Sequence, residues 1–374
     1  MGADYRKFAK LAQLYLWSVS SDLGTEQFMS DSPQQVFPLH PYPWQLGEWQ
    51  QLVQQIAAQK LPHAMMIAGP KGIGKRHLAD ALAQLLLCQS PIEGTPCCKC
   101  RGCELNKAQT HPDLIWLEPE EEGKAIKVDQ VRELTESLGK TAQQGGYKVV
   151  IIEPAEAMNG NSANALLKSL EEPAANTLLV LVAHSPSSVL PTIRSRCQMR
   201  KFPMPRSEQV LHWLSPLLVG SSADAEKLLV AARGAPLSAL ALLQGDALEQ
   251  REQVLQQFVR LSLGQISAIE LAAQWHSGDV QGFMEWFLGL LHSIARWRVG
   301  AEDLQMEQAP VEWRDRLSHL NVSLLHRYIE KILLSKKQLL SGANPNKQLL
   351  LEELLLDWSA LLRASTNRAM ASGH

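Results

Sequence analysis

The sequence predicts a parallel α/β domain followed by helical regions. Four apolar runs alternate with stretches of helical periodicity in the first half of the chain, at 64–69, 114–117, 148–152 and 178–183. Apolar runs without polar alternation are typical of parallel strands that are covered by helices on both faces. Beyond Pro205 these runs cease, and the apolar residues follow helical spacing. One sheet is therefore expected before Pro205 and only helices after it.

Length and composition exclude several classes of protein. The 374 residues suffice for two or three domains. With 45% hydrophobic and 20% charged residues, the chain is not intrinsically disordered as a whole. The formal net charge of −2 argues against a protein that coats nucleic acid by bulk charge. Because a membrane-length apolar run and a signal-peptide pattern are both lacking, we expect a cytoplasmic protein.

Residues 1–41 show no clear period, and a polar stretch follows the internal Met29. We expect a poorly ordered N-terminal extension here. A short amphipathic helix over 5–19 is the alternative.

A glycine-rich segment follows the first apolar run. It reads Gly69-Pro-Lys-Gly-Ile-Gly-Lys-Arg76 and departs from the P-loop pattern G-x-x-x-x-G-K-[ST] only at its last position. Backbone N–H groups and the lysine of such a loop bind phosphates. The guanidinium of Arg76 has only donors and cannot ligate Mg²⁺. The candidate nucleotide-binding residues are Gly69, Gly72, Gly74, Lys75 and Arg76. We expect no ATP hydrolysis at this loop, whereas the sequence leaves open whether it binds ATP. The alternative to a P-loop is a glycine-rich turn without a ligand.

The third apolar run ends in Glu153-Pro154. A working P-loop enzyme has Asp-Glu at this place, where the Asp supports Mg²⁺ and the Glu orients water. Glu153 could still hold a metal through water, but Pro154 has no polar side chain. A buried strand that ends at a proline turn is the simpler interpretation.

Five of the six cysteines lie between Cys88 and Cys103. In a reducing compartment, such a cluster favours metal ligation over disulfides. Cys88, Cys97, Cys100 and Cys103 can supply four thiolates to a tetrahedral Zn²⁺, which leaves Cys98 free. A reduced cluster without metal and an iron–sulfur cluster are the alternatives.

Two further segments close the α/β region. Residues 161–173 form an amphipathic pattern that stops at Pro173, and Ser195-Arg196-Cys197 follows the fourth apolar run. Arg194 and Arg196 form either a solvated face or an arginine finger, a fixed cation that projects into a phosphate site.

Taken together, these motifs resemble the clamp-loader branch of the AAA+ family. The most specific matches are 164–173 and Ser195-Arg196-Cys197. Weaker matches are Tyr42-Pro-Trp44, the P-loop, the four cysteines, His111-Pro-Asp113 and Asn344-Pro345. The resemblance covers roughly 42–374 and leaves 1–41 outside.

The resemblance implies a domain order. A P-loop AAA+ domain over 42–205 would carry an inserted zinc module at 88–103. A small helical lid would follow over 206–245 and an all-α collar, which mediates oligomerisation, over 246–374.

The resemblance also implies a function. One type of subunit in this family carries a defective P-loop, which Arg76 and Pro154 match, whereas the catalytic gamma/tau subunits keep G-K-[ST] and Asp-Glu. A subunit of the defective type would help to load the sliding clamp on primed DNA during replication, in a ring with gamma/tau and delta subunits. Arg196 would be an arginine finger that acts in trans on a neighbour's ATP site. The chain would belong to a DNA-directed DNA polymerase (nucleotidyltransferase) holoenzyme without performing polymerase chemistry.

Two other functions stay open on the sequence. One is an active P-loop ATPase of the gamma/tau type that tolerates Arg76. The other is a zinc-dependent DNA-binding protein, since Lys99, Arg101 and Lys107 crowd the cysteine loop.

Overall fold

The computed structural model describes residues 37–121, 123–144, 146–218, 224–243, 247–278, 280–340 and 346–371. The chain divides into two compact units, with the boundary between Leu242 and Leu243. Most of the expected N-terminal extension, together with Asn344-Pro345, lies outside the described residues. No helix of the described ranges is long and apolar enough to cross a membrane.

Five parallel strands form the sheet of the first unit. They are β1 (Ala64–Ala68), β2 (Leu114–Leu117), β3 (Lys148–Ile152), β4 (Thr177–Ala183) and β5 (Gln198–Lys201), in the spatial order β2-β3-β4-β1-β5. Every residue of β1, β3 and β4 is buried. The predicted parallel α/β domain is confirmed, with β5 as an additional edge strand.

Helices cover both faces of this sheet. They are α1 (Leu46–Ala57), α2 (Lys75–Leu86), α3 (Arg101–Lys107), α4 (Val128–Leu138), α5 (Gly160–Glu171) and α6 (Pro191–Arg194). Met65 of β1 packs in a cluster with Leu52 and Leu78, whereas its neighbour Met66 packs with Leu134 and Leu166 on the opposite face. Successive strand residues point to opposite faces, so burial on both sides explains the unbroken apolar runs.

Three short helices complete the first unit. They are α7 (Ser207–Leu214), α8 (Ala225–Ala231) and α9 (Pro236–Ala241), with a 3₁₀ turn over Ser215–Leu218 after α7. The backbone N–H of Leu237, at the start of α9, donates to the carbonyl oxygen of Gly72 at 2.9 Å. This contact brings the predicted lid region onto the glycine loop.

The second unit is helical throughout its described residues. Its helices are α10 (Ala247–Ser262), α11 (Ala268–Trp275), α12 (Val280–Arg298), α13 (Leu304–Glu307), α14 (Val311–Ser318), α15 (Val322–Leu340) and α16 (Lys347–Ala371). Phe258, Phe287 and Trp358 lie fully buried at the centre, and Trp358 Nε1 donates to Ser262 Oγ at 2.9 Å. The leucine-rich helix α16 packs into this core.

Candidate functional site

The glycine loop forms the turn between β1 and α2. Gly72 and Gly74 both have φ near +84°, a conformation that glycine adopts without a steric penalty. At Gly69 a Cβ atom would lie only 2.1 Å from the carbonyl oxygen of Phe202. The loop therefore requires glycine at all three predicted positions, and it leads directly into Lys75 and Arg76 at the start of α2.

Carbonyl groups of this loop are bound by the chain itself. Trp44 Nε1 donates to the carbonyl oxygen of Ile73 at 2.9 Å, and Gln45 Nε2 donates to that of Gly74 at 2.9 Å. A Cβ atom on Gly72 would lie 2.2 Å from Ser238 Oγ of α9. Helix α9 and the segment before α1 thus pack directly on the loop.

An aromatic cluster covers Gly74. The ring of Tyr42 stacks on Trp44 at a centroid distance of 5.0 Å, contacts His77 at 4.4 Å and meets the edge of Trp213 at 5.6 Å. Burial lowers the pKa of His77 to about 4, so its ring is neutral near pH 7. Because Trp213 belongs to α7, the cluster joins the three short helices to the start of the α/β domain.

Lys75 is almost fully buried behind the loop. Its Nζ donates to the carbonyl oxygen of Pro70 at 2.6 Å. Burial lowers the pKa of Lys75 to about 8, while the carboxylates of Glu153 and Glu156 oppose this shift. The ammonium group therefore remains mostly protonated at pH 7.

Arg76 bridges two carboxylates at the ends of neighbouring strands. Its Nη1 donates to Glu153 Oε2 at 2.8 Å and also contacts Glu118 Oε1. Its Cζ lies 4.1 Å from the ring centroid of Trp116, at cation–π distance. In a working P-loop enzyme a Mg²⁺ held by the loop hydroxyl and the acidic strand end supplies positive charge here. In this chain the positive charge is the guanidinium of Arg76.

Glu118 pairs with Arg76 from the neighbouring strand. It follows β2 and lies 42 positions from Arg76 in sequence. The two residues come together because β2 and β3 are adjacent parallel strands.

The carboxyl ends of β3 and β4 bring two more side chains, His184 and Glu156, close to Glu153. Burial raises the pKa of Glu153, although Arg76 and Lys75 oppose this. His184 Nε2 lies 3.8 Å from Glu153 Oε1, and burial lowers the pKa of His184 to about 3. Glu156 Oε1 accepts hydrogen bonds from the backbone N–H groups of His184 and Ser185 at 2.9 Å each. Sequence reasoning missed His184 and Glu156, although both lie where adjacent parallel strands end.

Arg76→Ala is expected to destabilise the fold by about 1–3 kcal/mol at pH 7.5, because Glu153 loses its charge partner while remaining buried. Loss of Arg76 raises the pKa of Glu153 further above its ordinary value. Between the pKa of Glu153 in the unfolded chain and its higher pKa in the folded variant, the folded chain holds a proton that the unfolded chain has released. The stability of the variant therefore falls as pH rises through this interval.

Urea unfolding of Arg76→Ala and wild type at pH 5.5 and 7.5 measures this effect. Arg132→Ala, which breaks an exposed ion pair with Asp129, is the matched control. Equal costs for the two variants at both pH values would contradict the role assigned to Arg76.

The structure brings four of the cysteine sulfurs together. The Sγ atoms of Cys88, Cys97, Cys100 and Cys103 all lie within 4.8 Å of one another. Two of the separations, Cys88 to Cys100 and Cys97 to Cys103, are 3.9 Å. Thiolates about 2.3 Å from a tetrahedral metal lie about 3.8 Å apart, so the cluster could hold a metal ion.

Local backbone geometry supports this cluster. Cys100 caps the N-terminus of α3 and Cys103 lies in its first turn, where the backbone N–H of Cys103 donates to Cys100 Sγ at 3.4 Å. A backbone hydrogen bond from Lys99 lowers the pKa of Cys97 to about 6. Cys98 has a φ of +62° and is exposed, with its Sγ 3.4 Å from the carbonyl oxygen of Pro96. Its sulfur is not part of the cluster.

Arg196 lies between α6 and β5 and is bound within the chain. Its Nε donates to Glu171 Oε1 at 2.7 Å, and its Nη1 donates to the carbonyl oxygen of Thr192 at 3.0 Å. Arg194, the competing candidate, has a buried Nε without a hydrogen-bond partner among the described residues.

His111-Pro112-Asp113 has a structural role. Asp113 is fully buried and accepts backbone hydrogen bonds from Gln143 at 2.7 Å and Gln144 at 2.9 Å. These bonds join the turn before β2 to the segment that leads into β3.

Both units of the chain match known protein families. A family described as DNA polymerase III, delta subunit, matches residues 44–206. A second family, described as DNA polymerase III, delta subunit, C terminal, matches residues 245–360.

Two relatives that the chain matches over more than nine-tenths of their length have the same name. The chain is 42% identical to the DNA polymerase III subunit delta' of Pseudomonas aeruginosa over 326 residues, 86% of this chain and 98% of the relative. It is 35% identical to the subunit delta' of Escherichia coli over 318 residues, 84% of this chain and 94% of the relative.

Similar solved structures share less sequence. A gamma-subunit-related protein of DNA polymerase III from Thermotoga maritima is 18% identical, with a TM-score of 0.42 over 84% of this chain and 99% of that one. The clamp-loader delta protein of Bacillus subtilis is 13% identical, with a TM-score of 0.32 over 83% and 99%. Because these scores are low, the assignment rests on the sequence relatives. By its similarity over nearly the whole length of those relatives, the chain belongs to the DNA polymerase III subunit delta' family.

Proposed function

We infer that this chain is a structural, non-hydrolysing subunit of the DNA polymerase III clamp loader. The observation that carries this inference is the position of Arg76, whose guanidinium bridges Glu118 and Glu153. A divalent cation at this place would meet a fixed positive charge. Pro154 supplies no polar group to orient water. The active gamma/tau-type ATPase is not favoured, because it needs both a metal and an oriented water.

We further propose that Cys88, Cys97, Cys100 and Cys103 hold one structural Zn²⁺. The sulfur separations support tetrahedral coordination, and four thiolates leave no open position for substrate or water. Zinc would thus stabilise the segment between α2 and β2 without taking part in a reaction. Cys98 would remain a free thiol.

The proposed partners are gamma/tau and delta subunits, and through the complex the sliding clamp and primed DNA. Family membership supports other clamp-loader subunits as partners in general. Within this assembly residues 42–205 would be the AAA+ domain, 206–245 the lid and 246–374 the collar. Arg196 would stabilise the charge that develops on a phosphoryl group in the neighbour's ATP site.

Reconstitution tests this function. Purified chain should be retained by immobilised gamma/tau together with delta, and the mixture should load clamps onto primed DNA in an ATP-dependent reaction. Omission of the chain should abolish loading. Unchanged loading without it would show that the chain is not a working part of the loader.

A further inference from the structure

The side chain of Arg196 is bound by Glu171 and by the backbone of Thr192. Arg196 Nε donates to Glu171 Oε1 at 2.7 Å, and Nη2 contacts the same oxygen. Nη1 donates to the carbonyl oxygen of Thr192 at 3.0 Å and lies 3.5 Å from Ser195 Oγ. All three guanidinium nitrogens therefore have partners within the chain, although the side chain is 35% exposed.

Helix stability does not explain a carboxylate at position 171. Glu171 is the last residue of α5, where the negative end of the helix dipole disfavours an acidic side chain. Its ion-pair partner is Arg196, which is 25 residues away in sequence. The favourable interaction of this carboxylate is thus with the proposed arginine finger.

We propose that Glu171 is a positioning residue for Arg196. The contacts of Nε and Nη2 with Glu171 anchor the guanidinium from one side, and the second N–H groups of Nη1 and Nη2 are those that would turn toward a phosphate of the neighbouring subunit. This proposal rests on the proposed function of Arg196 in trans.

The benefit of orienting Arg196 is larger than the cost of competition between Glu171 and the phosphate for its guanidinium. The carboxylate also competes with the phosphate for the guanidinium, but an exposed ion pair of this kind costs at most roughly fivefold in affinity. A free arginine side chain loses rotamer freedom equivalent to roughly thirtyfold when it is fixed in one geometry. Orientation by Glu171 should therefore raise the rate at the neighbouring site.

The test uses the loader assembled from this chain with gamma/tau and delta, and measures kcat and KM for clamp- and DNA-stimulated ATP hydrolysis. Glu171→Ala is expected to lower turnover at the site that Arg196 faces by on the order of tenfold, with KM unchanged. Glu171→Gln should recover part of this loss, because its amide oxygen still accepts from Nε. Glu172→Ala, an exposed neighbour on the same helix end, is the control and should match wild type.

A double-variant cycle separates this proposal from the function on which it rests. If Glu171 acts through Arg196, Glu171→Ala adds no further loss to Arg196→Ala. Additive losses in the double variant would overturn the positioning role of Glu171. A wild-type or faster rate for Glu171→Ala, with a slow Arg196→Ala, would do the same, and either result would leave the trans role of Arg196 standing. A wild-type rate for Arg196→Ala would overturn the trans role itself, and Glu171 would then have nothing to position. Should Glu171→Ala fail to assemble, the comparison of Glu171→Gln with Glu172→Ala decides the same question.

Discussion

Cys100→Ser is expected to abolish binding of the proposed zinc and to unfold the segment around α3. Cys100 caps this helix and its sulfur accepts backbone hydrogen bonds from Gln89 and Cys103, so one substitution removes a ligand and a cap. Structural zinc contributes about 10–16 kcal/mol in small zinc-binding peptides. Loss of one of four thiolates should therefore reduce metal affinity by orders of magnitude.

Metal analysis of protein purified without added zinc measures this directly, and limited proteolysis reports unfolding between α2 and β2. Cys98→Ser is the matched control, because the Cys98 sulfur is not part of the cluster, and this variant should retain one zinc per chain. A metal content near zero in the wild-type chain would refute the site.

Arg196→Ala should leave folding and assembly intact and lower the stimulated ATPase of the assembled loader. An arginine finger contributes ~10³–10⁵ in rate at the site it faces. The loss for the whole loader should be partial, because its other ATP sites receive arginines from other neighbours. Arg196→Lys should rescue poorly, since an ammonium group lacks the planar fork that binds two phosphate oxygens.

Thermal unfolding and gel filtration of the variant verify folding and assembly before turnover is compared. Arg194→Ala, two residues away, is the control and should retain the wild-type rate. If the assembled Arg196→Ala loader hydrolyses ATP and loads clamps at the wild-type rate, Arg196 is a structural arginine and has no role in trans.

Contiguous features of this chain could be predicted from its sequence. β1, β3 and β4 are buried on both faces, so their apolar runs are unbroken and easily recognised. The glycine loop is a single segment, and Cys97, Cys100 and Cys103 follow helical and turn spacing close to Cys88. Local spacing alone suffices to bring such groups together.

Features that depend on long-range packing could not be predicted in this way. The edge strand β5 has the sequence Gln-Met-Arg-Lys, and one of its four residues is buried. Because edge strands often carry charged side chains, β5 has no apolar run by which it could be recognised. The contacts of Arg76 with Glu118 and of Tyr42 with Trp213 join residues that only the sheet order and the packing of α7 bring together. The contact of Glu171 with Arg196 could not be predicted either, because it joins residues 25 positions apart that the turn after α6 brings together.

ATP turnover by the purified chain alone, measured with Mg²⁺ in the presence and absence of primed DNA, tests the non-hydrolysing role most directly. The guanidinium of Arg76 bridges Glu118 and Glu153, and Pro154 has no polar side chain to orient water, so we expect no turnover above buffer. Arg76→Thr should stay equally silent, because Pro154 remains. Robust turnover by the wild-type chain that disappears in Lys75→Ala would contradict the account, since it would show that this P-loop catalyses hydrolysis itself.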